Sequence, residues 1–525
     1  MSAIDSGWKP KFNPWLIALT VTIATFMEVL DTSIANVALP NIAGSLGASL
    51  EVATWVLTSY LVSSAIILPI SGWLSDRFGR KRFYMTCVAL FTVCSMLCGL
   101  APTLPILIIA RILQGLGGGG LAPSEQAILA DTFSIEKRGQ AFALYGMAVV
   151  VAPAIGPTLG GWITDNYNWH WIFFINVPIG LISLYLSNKM VEDPPEIHAR
   201  TLQRRPVDFI GLFAVAGGVG LLEFTLDKGQ QKDWFGSGEI QFTATVAVLT
   251  LIFFVFWEWN HPDPIVDLKL LKNRNFGTAV FLQLILGMVL FGSTVLIPQY
   301  LQSLLGYTAE LAGLVLSPAG FVMMIGMAIA GRTLGKSDPR LTVMLGYIAV
   351  ALGLYNLTRL DLYSSYGTVT LWRMLQVVGL PFIFIPISTL NYVGVPRSKS
   401  NQISSLSNFA RNMGGSAGTA LLTTFLARSA QIHQTALSGN LSTGDYAVNA
   451  YIARFAHALH MSVAAAKPLA LAQIYNQMLA QASMLAYKSA FTILALVVLL
   501  LSPLVWIMRL PQKNVPVDPE QLAAH

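Results

Sequence analysis

Asp31 lies well inside an apolar run from Trp15 to Pro40, and Glu28 stands three residues before it. Arg111 occupies a second such run, at 105–130. An ionised side chain at membrane depth is costly, so it faces a protein interior or a water-filled cavity and marks an ion or proton path. The plainer reading is that Asp31 only hydrogen-bonds a neighbouring helix; the general behaviour of intramembrane acids favours the path. At 1.5 Å per residue, Asp31 lies about 13 Å and Glu28 about 18 Å from Pro40. Arg111 lies about 9 Å from Pro105, which starts on the same side. Asp31 and Arg111 therefore match in depth and can pair if their helices are neighbours. Glu28 is nearer the midplane and shares roughly one face with Asp31. A nearby Arg favours the charged form of a carboxyl group and burial the neutral form, so a site holding both can trade a proton for a change of shape. Glu125 is a weaker candidate, because it lies near the end of its segment, where snorkelling to water is easy.

Two other motifs bear on movement. The loop Gly72-Trp-Leu-Ser-Asp-Arg-Phe-Gly-Arg-Lys-Arg82 sets Asp76, Arg77 and Arg80 around a turn at Gly79. Such a cluster can latch onto carboxylates or helix ends nearby, with Asp131 and Glu136 as candidate partners; the alternative is simple anchoring by positive charge. A later segment holds Gly146, Pro153, Gly156, Pro157, Gly160 and Gly161. Small residues four apart let helices approach closely and proline bends them, which suits a pivot or a seal. Gly115 and Gly117–Gly120 do not make a phosphate loop: no Gly-Lys-Ser/Thr follows and no strand precedes, so close helix packing is the reading. Cys87, Cys94 and Cys98 share one helical face and read as small packing residues. No nucleophile set and no metal-ligand cluster is present, so the sequence does not read as an enzyme and no cofactor beyond protons is expected. Gln126, Asn176, Gln283, Gln299, Asn391, Asn408 and Arg411 are polar enough to line a cavity within the spans.

The elements that hold these residues are helices. The 525 residues are 54% hydrophobic and only 11% charged, with a mean hydropathy of +0.61. A soluble domain carries about 25% charged residues. Fourteen apolar segments run from 15–39 to 485–508, and the least hydrophobic is 402–427. Each is long enough for a spanning helix of about 20 residues rather than a barrel strand of about 10. Most of the 32 Lys and Arg fall in loops and tails of one side. The positive-inside rule then puts both termini in the cytoplasm, and the net charge of +6 reflects those loops rather than nucleic-acid binding.

The chain repeats weakly: Arg111-Ile-Leu-Gln114 recurs as Arg373-Met-Leu-Gln376 at an offset of 262. A parallel repeat is how many transporters build a midplane site between two halves. The expectation is an N-terminal six-helix half over 1–190, two extra helices over 191–262, and a C-terminal six-helix half over 263–525. Within the last, 428–483 is a long outer loop. Ile452, Phe455, Leu459 and Val463 keep helical spacing there, so a helix is expected, broken at Pro468. Its apolar stripe either covers the protein or meets a partner.

These motifs are familiar together. Leu30-Asp-Thr-Ser-Ile-Ala-Asn-Val-Ala-Leu-Pro40, Gly72–Arg82, Arg111-Ile-Leu-Gln-Gly115, Gly156-Pro-Thr-Leu-Gly-Gly161 and Trp169-His-Trp-Ile-Phe-Phe-Ile-Asn-Val-Pro-Ile-Gly180 resemble the major facilitator superfamily, in its fourteen-helix drug:proton antiporter branch. Ile265-Val-Asp-Leu268 and Ser405-Leu-Ser-Asn-Phe409 extend the resemblance to the EmrB type, the inner-membrane subunits of Gram-negative tripartite efflux pumps. The resemblance implies an all-α major facilitator fold and alternating access of two halves, with efflux of hydrophobic or amphipathic compounds driven by proton entry. It implies proton coupling at Asp31 and Arg111. It also implies a conformational latch at Asp76, Arg77, Gly79 and Arg80, and an antiporter signature at Gly156, Pro157, Gly160 and Gly161. A periplasmic adaptor and an outer-membrane channel are the implied partners, and export of one endogenous product such as a fatty acid or siderophore is the alternative. Glu28 lies outside the motif, so its role rests on depth alone.

Overall fold

A backbone in lipid must satisfy its own N–H and C=O groups, which leaves the apolar runs of this chain one regular form, the helix. In a computed structural model that describes residues 10–194, 207–334, 337–439 and 446–510, the runs are helical throughout. The first half comprises α1 (Pro14–Ser45), α2 (Leu50–Phe78), α3 (Arg80–Gly99), α4 (Leu104–Thr132), α5 (Ile135–Asn166) and α6 (Trp171–Met190). A pair follows, α7 (Phe209–Lys228) and α8 (Gly238–Asn260). The second half comprises α9 (Arg274–Ser303), α10 (Ala309–Thr333), α11 (Pro339–Leu357), α12 (Tyr366–Leu390), α13 (Ser400–Ser438) and, after the short α14 (Tyr446–Ala458), α15 (Val463–Leu501). Side-chain caps start several of them: Asn13 accepts from Trp15 N, Asp208 from Gly211 N and Ser462 from Ala465 N.

Among the described residues, thirteen helices are long and apolar enough to cross a membrane. The expected span at 402–427 is helical but too polar to be among them, because α13 is an interior helix. Asn401, Gln402, Ser404, Ser405, Ser407 and Asn408 are all buried against neighbouring helices rather than exposed to lipid. The expected loop at 192–206 lies, from residue 195, outside the described residues.

Two seams join the halves. Along one, α5 packs on α10; along the other, α2 packs on α13, with α7 lying against both. The face carrying the Gly72–Arg82 turn is called the basic face below. Gly79 ends α2 there at φ 90° and ψ 132°, a conformation open to glycine and strained for other residues.

The long loop expected at 428–483 differs from what the sequence implied. α13 runs on to Ser438 and α15 begins at Val463, each 39 residues long. At 1.5 Å per residue that is about 58 Å, against a hydrocarbon core of about 30 Å, so both helices project beyond the face opposite the basic one. Pro468 does not break a helix; it sits in the second turn of α15, and the helix runs through it at the loss of one backbone hydrogen bond. The expected stripe divides accordingly. Val448, Tyr451, Ile452 and Phe455 of α14 pack on Ala470, Leu471 and Ile474 of α15, so that part covers the protein itself. Leu459 and Val463 are exposed.

Candidate functional site

The depth match between Asp31 and Arg111 becomes an ion pair because α1 and α4 bring them to one level between α2, α3 and α6. Arg111 Nη1 donates to Asp31 Oδ2 at 2.6 Å, and the two residues are 0% and 2% exposed. The other carboxylate oxygen, Oδ1, accepts from Asn176 Nδ2 at 2.7 Å and from Gln114 Nε2 at 3.1 Å. Arg111 Nε donates to the Val56 carbonyl at 3.1 Å, and the guanidinium lies 4.5 Å from the centre of the Tyr60 ring and 5.5 Å from that of Phe173. Asn176 is held in turn by Ser95 at 3.0 Å. A pair this deep compensates its own desolvation only through such added hydrogen bonds and cation–π faces.

Asn176, expected among cavity-lining residues, therefore belongs to the Asp31 cluster. Helical position fixed its depth, but only the packing of α6 on α1 and α3 fixes where it points. Gln114 and Tyr60 are the residues that sequence reasoning left unassigned, although Gln114 stands in the repeated Arg-Ile-Leu-Gln motif.

Glu28 sits apart from this seal. It is partly exposed, and its Oε1 accepts from the Tyr60 hydroxyl at 3.3 Å. Tyr60 thus touches Glu28 through its hydroxyl and Arg111 through its ring. Among the described residues, no hydrogen bond or ring contact joins α1 to the second half, so the Glu28 face of α1 is not bridged across the centre of the molecule. Glu125 departs from expectation. It does not snorkel: it is 0% exposed, and Thr25 Oγ1 donates to its Oε2. α4 bends at Gly119–Gly120 and tucks this carboxylate against α1 instead of the basic-face water.

The repeat is real in three dimensions. Arg373 Nη1 donates to Ser293 Oγ at 3.0 Å, its Nη2 to Thr294 at 3.1 Å, and it also holds Gln376. Ser293 stands at the same offset of 262 from Asp31. The second half therefore keeps the arginine and the glutamine but has a hydroxyl where the first half has its carboxylate. The carboxylate at this position, present in one half and replaced by a hydroxyl in the other, makes the two halves chemically unequal.

At the basic face the residues of the expected latch meet α4 and α13. Arg80, 1% exposed, donates to Asp131 Oδ2 at 2.8 Å, and Ser400 of α13 donates to Asp131 Oδ1 at 2.9 Å. Asp76 Oδ1 accepts from Asn401 Nδ2 at 2.7 Å, and Arg77 lies over the Trp73 ring. The side chain of Glu136 lies outside the described residues. The seam is tight above this: Ser405 donates to the Leu68 carbonyl at 2.6 Å, and a Cβ on Gly72 would stand 2.9 Å from the Asn401 carbonyl oxygen. Toward the centre, Asn408 Nδ2 donates to Gln126 Oε1 at 2.9 Å, Tyr145 stacks on Phe384, and Arg411 reaches both Asn408 and Tyr145. Of the other polar candidates, Gln283 bonds Ser388 and Asn391 bonds Ser407, each joining two helices of the second half. Gln299 is exposed near the far end of α9.

Because the obstacle at Gly72 is backbone, it cannot swing aside. Gly72→Val is expected to cost about 1–3 kcal/mol in this conformation, shifting the population about 5- to 150-fold toward one open at the basic face. Spin labels on the basic-face ends of α2 and α13 would read a longer distance; an unchanged distance would refute it.

The glycines of α5 act beside the ion pair. Gly156 meets Ser33, and a Cβ on Gly160 would stand 3.1 Å from Ile34 Cγ2, so α5 lies on α1 within a turn of Asp31. Pro157 faces Gly313 across the other seam, while Gly161 looks into open space.

Residues 21–419 match the Major Facilitator Superfamily. The multidrug export protein EmrB of Haemophilus influenzae is 41% identical over 428 residues, covering 81% of this chain and 83% of its own. The fatty acid resistance protein FarB of Neisseria gonorrhoeae is 36% identical, covering 94% and 96%. Among solved structures, the human organic anion transporter MFSD10 superposes with a TM-score of 0.60 at 13% identity, over 94% of this chain and all of that one, which shows the fold. The chain belongs to the major facilitator superfamily, among its EmrB-type members.

Proposed function

We propose that this protein is a multidrug exporter that moves hydrophobic or amphipathic compounds out of the cytoplasm in exchange for protons, by alternating access of its two halves. The observation that carries the proton coupling is the Asp31–Arg111 pair: one carboxylate, sealed from water, bonded to a guanidinium and placed only in the first half. Protonation of Asp31 weakens its hold on Arg111 and on the α1–α4 contact, and the α1–α5 glycine packing beside it passes that change to the seam. Glu28, partly exposed and bonded to Tyr60, is the relay between cavity water and the pair. The basic face is cytoplasmic under the positive-inside rule, and the latch of Arg80, Asp131, Asp76 and Asn401 holds it closed here. Drug enters a cavity lined by Glu28, Gln126, Asn408 and Arg411 once that latch opens. The relatives named for multidrug export support this reading.

The projecting ends of α13 and α15, with α14 laid between them, are the proposed docking site of a periplasmic adaptor that reaches an outer-membrane channel. Ile432, Tyr446, Leu469 and Tyr475 are exposed there. Export of a single product such as a fatty acid is the second reading, favoured by the likeness to a protein named for fatty acid resistance. An efflux-deficient bacterium expressing this chain, with and without an adaptor, separates the two. Resistance to many unrelated toxins, larger with the adaptor, is expected; protection against one compound class alone would establish the second reading.

A further inference from the structure

α7 lies outside the two halves, yet it carries a deeply placed carboxylate. Glu223 is 3% exposed, and its position puts it about 8 Å from the far end of α7, well within the apolar span. Its Oε1 accepts from Ser416 Oγ of α13 at 2.7 Å, while its buried Oε2 meets no hydrogen-bonding partner. No cation touches it among the described residues. On α7 itself the nearest charge is Asp227, which accepts from Thr58 of α2 at 2.6 Å and lies 3.7 Å from Lys228 Nζ. Lys228 reaches Thr54 of α2. On α13, Arg411 is turned to Asn408 and Tyr145; on α2, the Tyr60 hydroxyl is turned to Glu28; and α8 offers Thr243, which bonds Thr225. A buried anion with no counter-ion is far more expensive than the neutral acid, which leaves at most one weak donor unsatisfied.

The placement of α7 gives this group a mechanical setting. Gly220, one turn earlier, faces Val62 and Ile66 of α2, and Thr58 and Thr54 anchor the end of α7 to the same helix. Glu223, only about 60° further round the helix, meets α13 through Ser416, and just beyond the end of α7 Trp234 Nε1 donates to Thr424 of α13 at 2.7 Å. α7 is therefore fixed to the first half and packs on α13 of the second, with Glu223 and, beyond its end, Trp234 making polar contacts across the seam that alternating access must open.

We propose that Glu223 is a second proton-carrying residue of the transport cycle, working where α7 meets α13. In the conformation seen here it holds its proton and accepts from Ser416. When the basic face opens and α13 moves away, water from that face reaches the carboxyl group, the O–H bond ionises, and the proton passes to that water. On reclosing, the carboxylate takes a proton from water of the opposite face, so one proton crosses in each cycle. This rests on the proton-driven reading above, with Asp31 as the first site.

The test is made on the full chain in proteoliposomes. Glu223→Gln is expected to keep substrate-for-substrate counterflow and to release one proton fewer on substrate binding in weak buffer. Under a potential of 100 mV its steady-state accumulation is expected to fall about fifty-fold, the share of one proton. Glu223→Asp is expected to keep accumulation with a displaced pH midpoint, and Ser416→Ala to displace the midpoint without changing the proton count. Wild-type proton release and accumulation in Glu223→Gln overturn the proposal while leaving the Asp31 reading intact. If Glu223→Gln fails to fold, a pH profile of Glu223→Asp identical to wild type overturns it instead. If wild type itself shows no pH-gradient-driven transport, the proton-driven reading fails and this proposal falls with it.

Discussion

Asp31→Asn abolishes uphill transport while leaving the protein inserted and able to bind substrate. The substitution keeps the shape of the side chain and fixes the neutral form, a state the cycle itself visits. Arg111 retains the Val56 carbonyl, Gln114 and two aromatic faces, and Asn176 Oδ1, which has no partner, can take the new amide donor. What is lost is the ability to release a proton. Each charge that crosses 100 mV supplies about 2.3 kcal/mol, or roughly a fifty-fold concentration ratio, so loss of one coupled proton erases at least that much accumulation. In proteoliposomes with an imposed pH gradient, the variant is expected to equilibrate substrate without concentrating it, and its rate is expected to lose its pH dependence. Normal accumulation by this variant would sink the assignment of Asp31 and move attention to Glu28.

What was legible in the sequence followed from fixed geometry. The rise per residue of a helix is constant, so positions counted from Pro40 and Pro105 put Asp31 and Arg111 at one depth, and the structure pairs them. Direction around the helix axis is not readable that way. Asn176 looked like cavity lining, yet α6 turns it to Asp31. Glu125 looked close to water, yet the bend at Gly119–Gly120 buries it beside Thr25. The repeat found Arg373 and Gln376 because those letters are identical in both halves. It could not find Ser293, whose change from carboxylate to hydroxyl is the functional difference. Glu223 has no counterpart in the repeat and no charged residue at matching depth, so only its contact with α13 in the fold singles it out. The loop at 428–483 misled for a related reason: α13 and α15 continue as helices past the bilayer, where their polar residues resemble a connection.

The inequality of the halves gives the second large prediction. Arg111→Met leaves Asp31 buried with no cation, and removing one partner of such a pair costs about 3–5 kcal/mol. At the matching site of the other half, Arg373→Met breaks no ion pair among the described residues; it removes bonds to Ser293 and Thr294, whose hydroxyls still donate to the Leu290 carbonyl, so no charge and no donor is stranded. Unfolding titrations in mixed micelles are expected to rank Arg111→Met as the more destabilised. Combining it with Asp31→Asn is expected to restore most of its loss, since the stranded charge is then gone, whereas Arg373→Met with Asp31→Asn is expected to be additive. Equal losses at the two arginines, or no restoration in the first double variant, would mean that the Asp31–Arg111 contact is an ordinary hydrogen bond and not the charge pair on which coupling depends. Transport separates the arginines further. A proton path through Asp31 needs the guanidinium that competes with the proton for its carboxylate, so Arg111→Met remains uncoupled even where the double variant is stable. Among the described residues Arg373 pairs with no acid, and its replacement is expected to slow transport without uncoupling it.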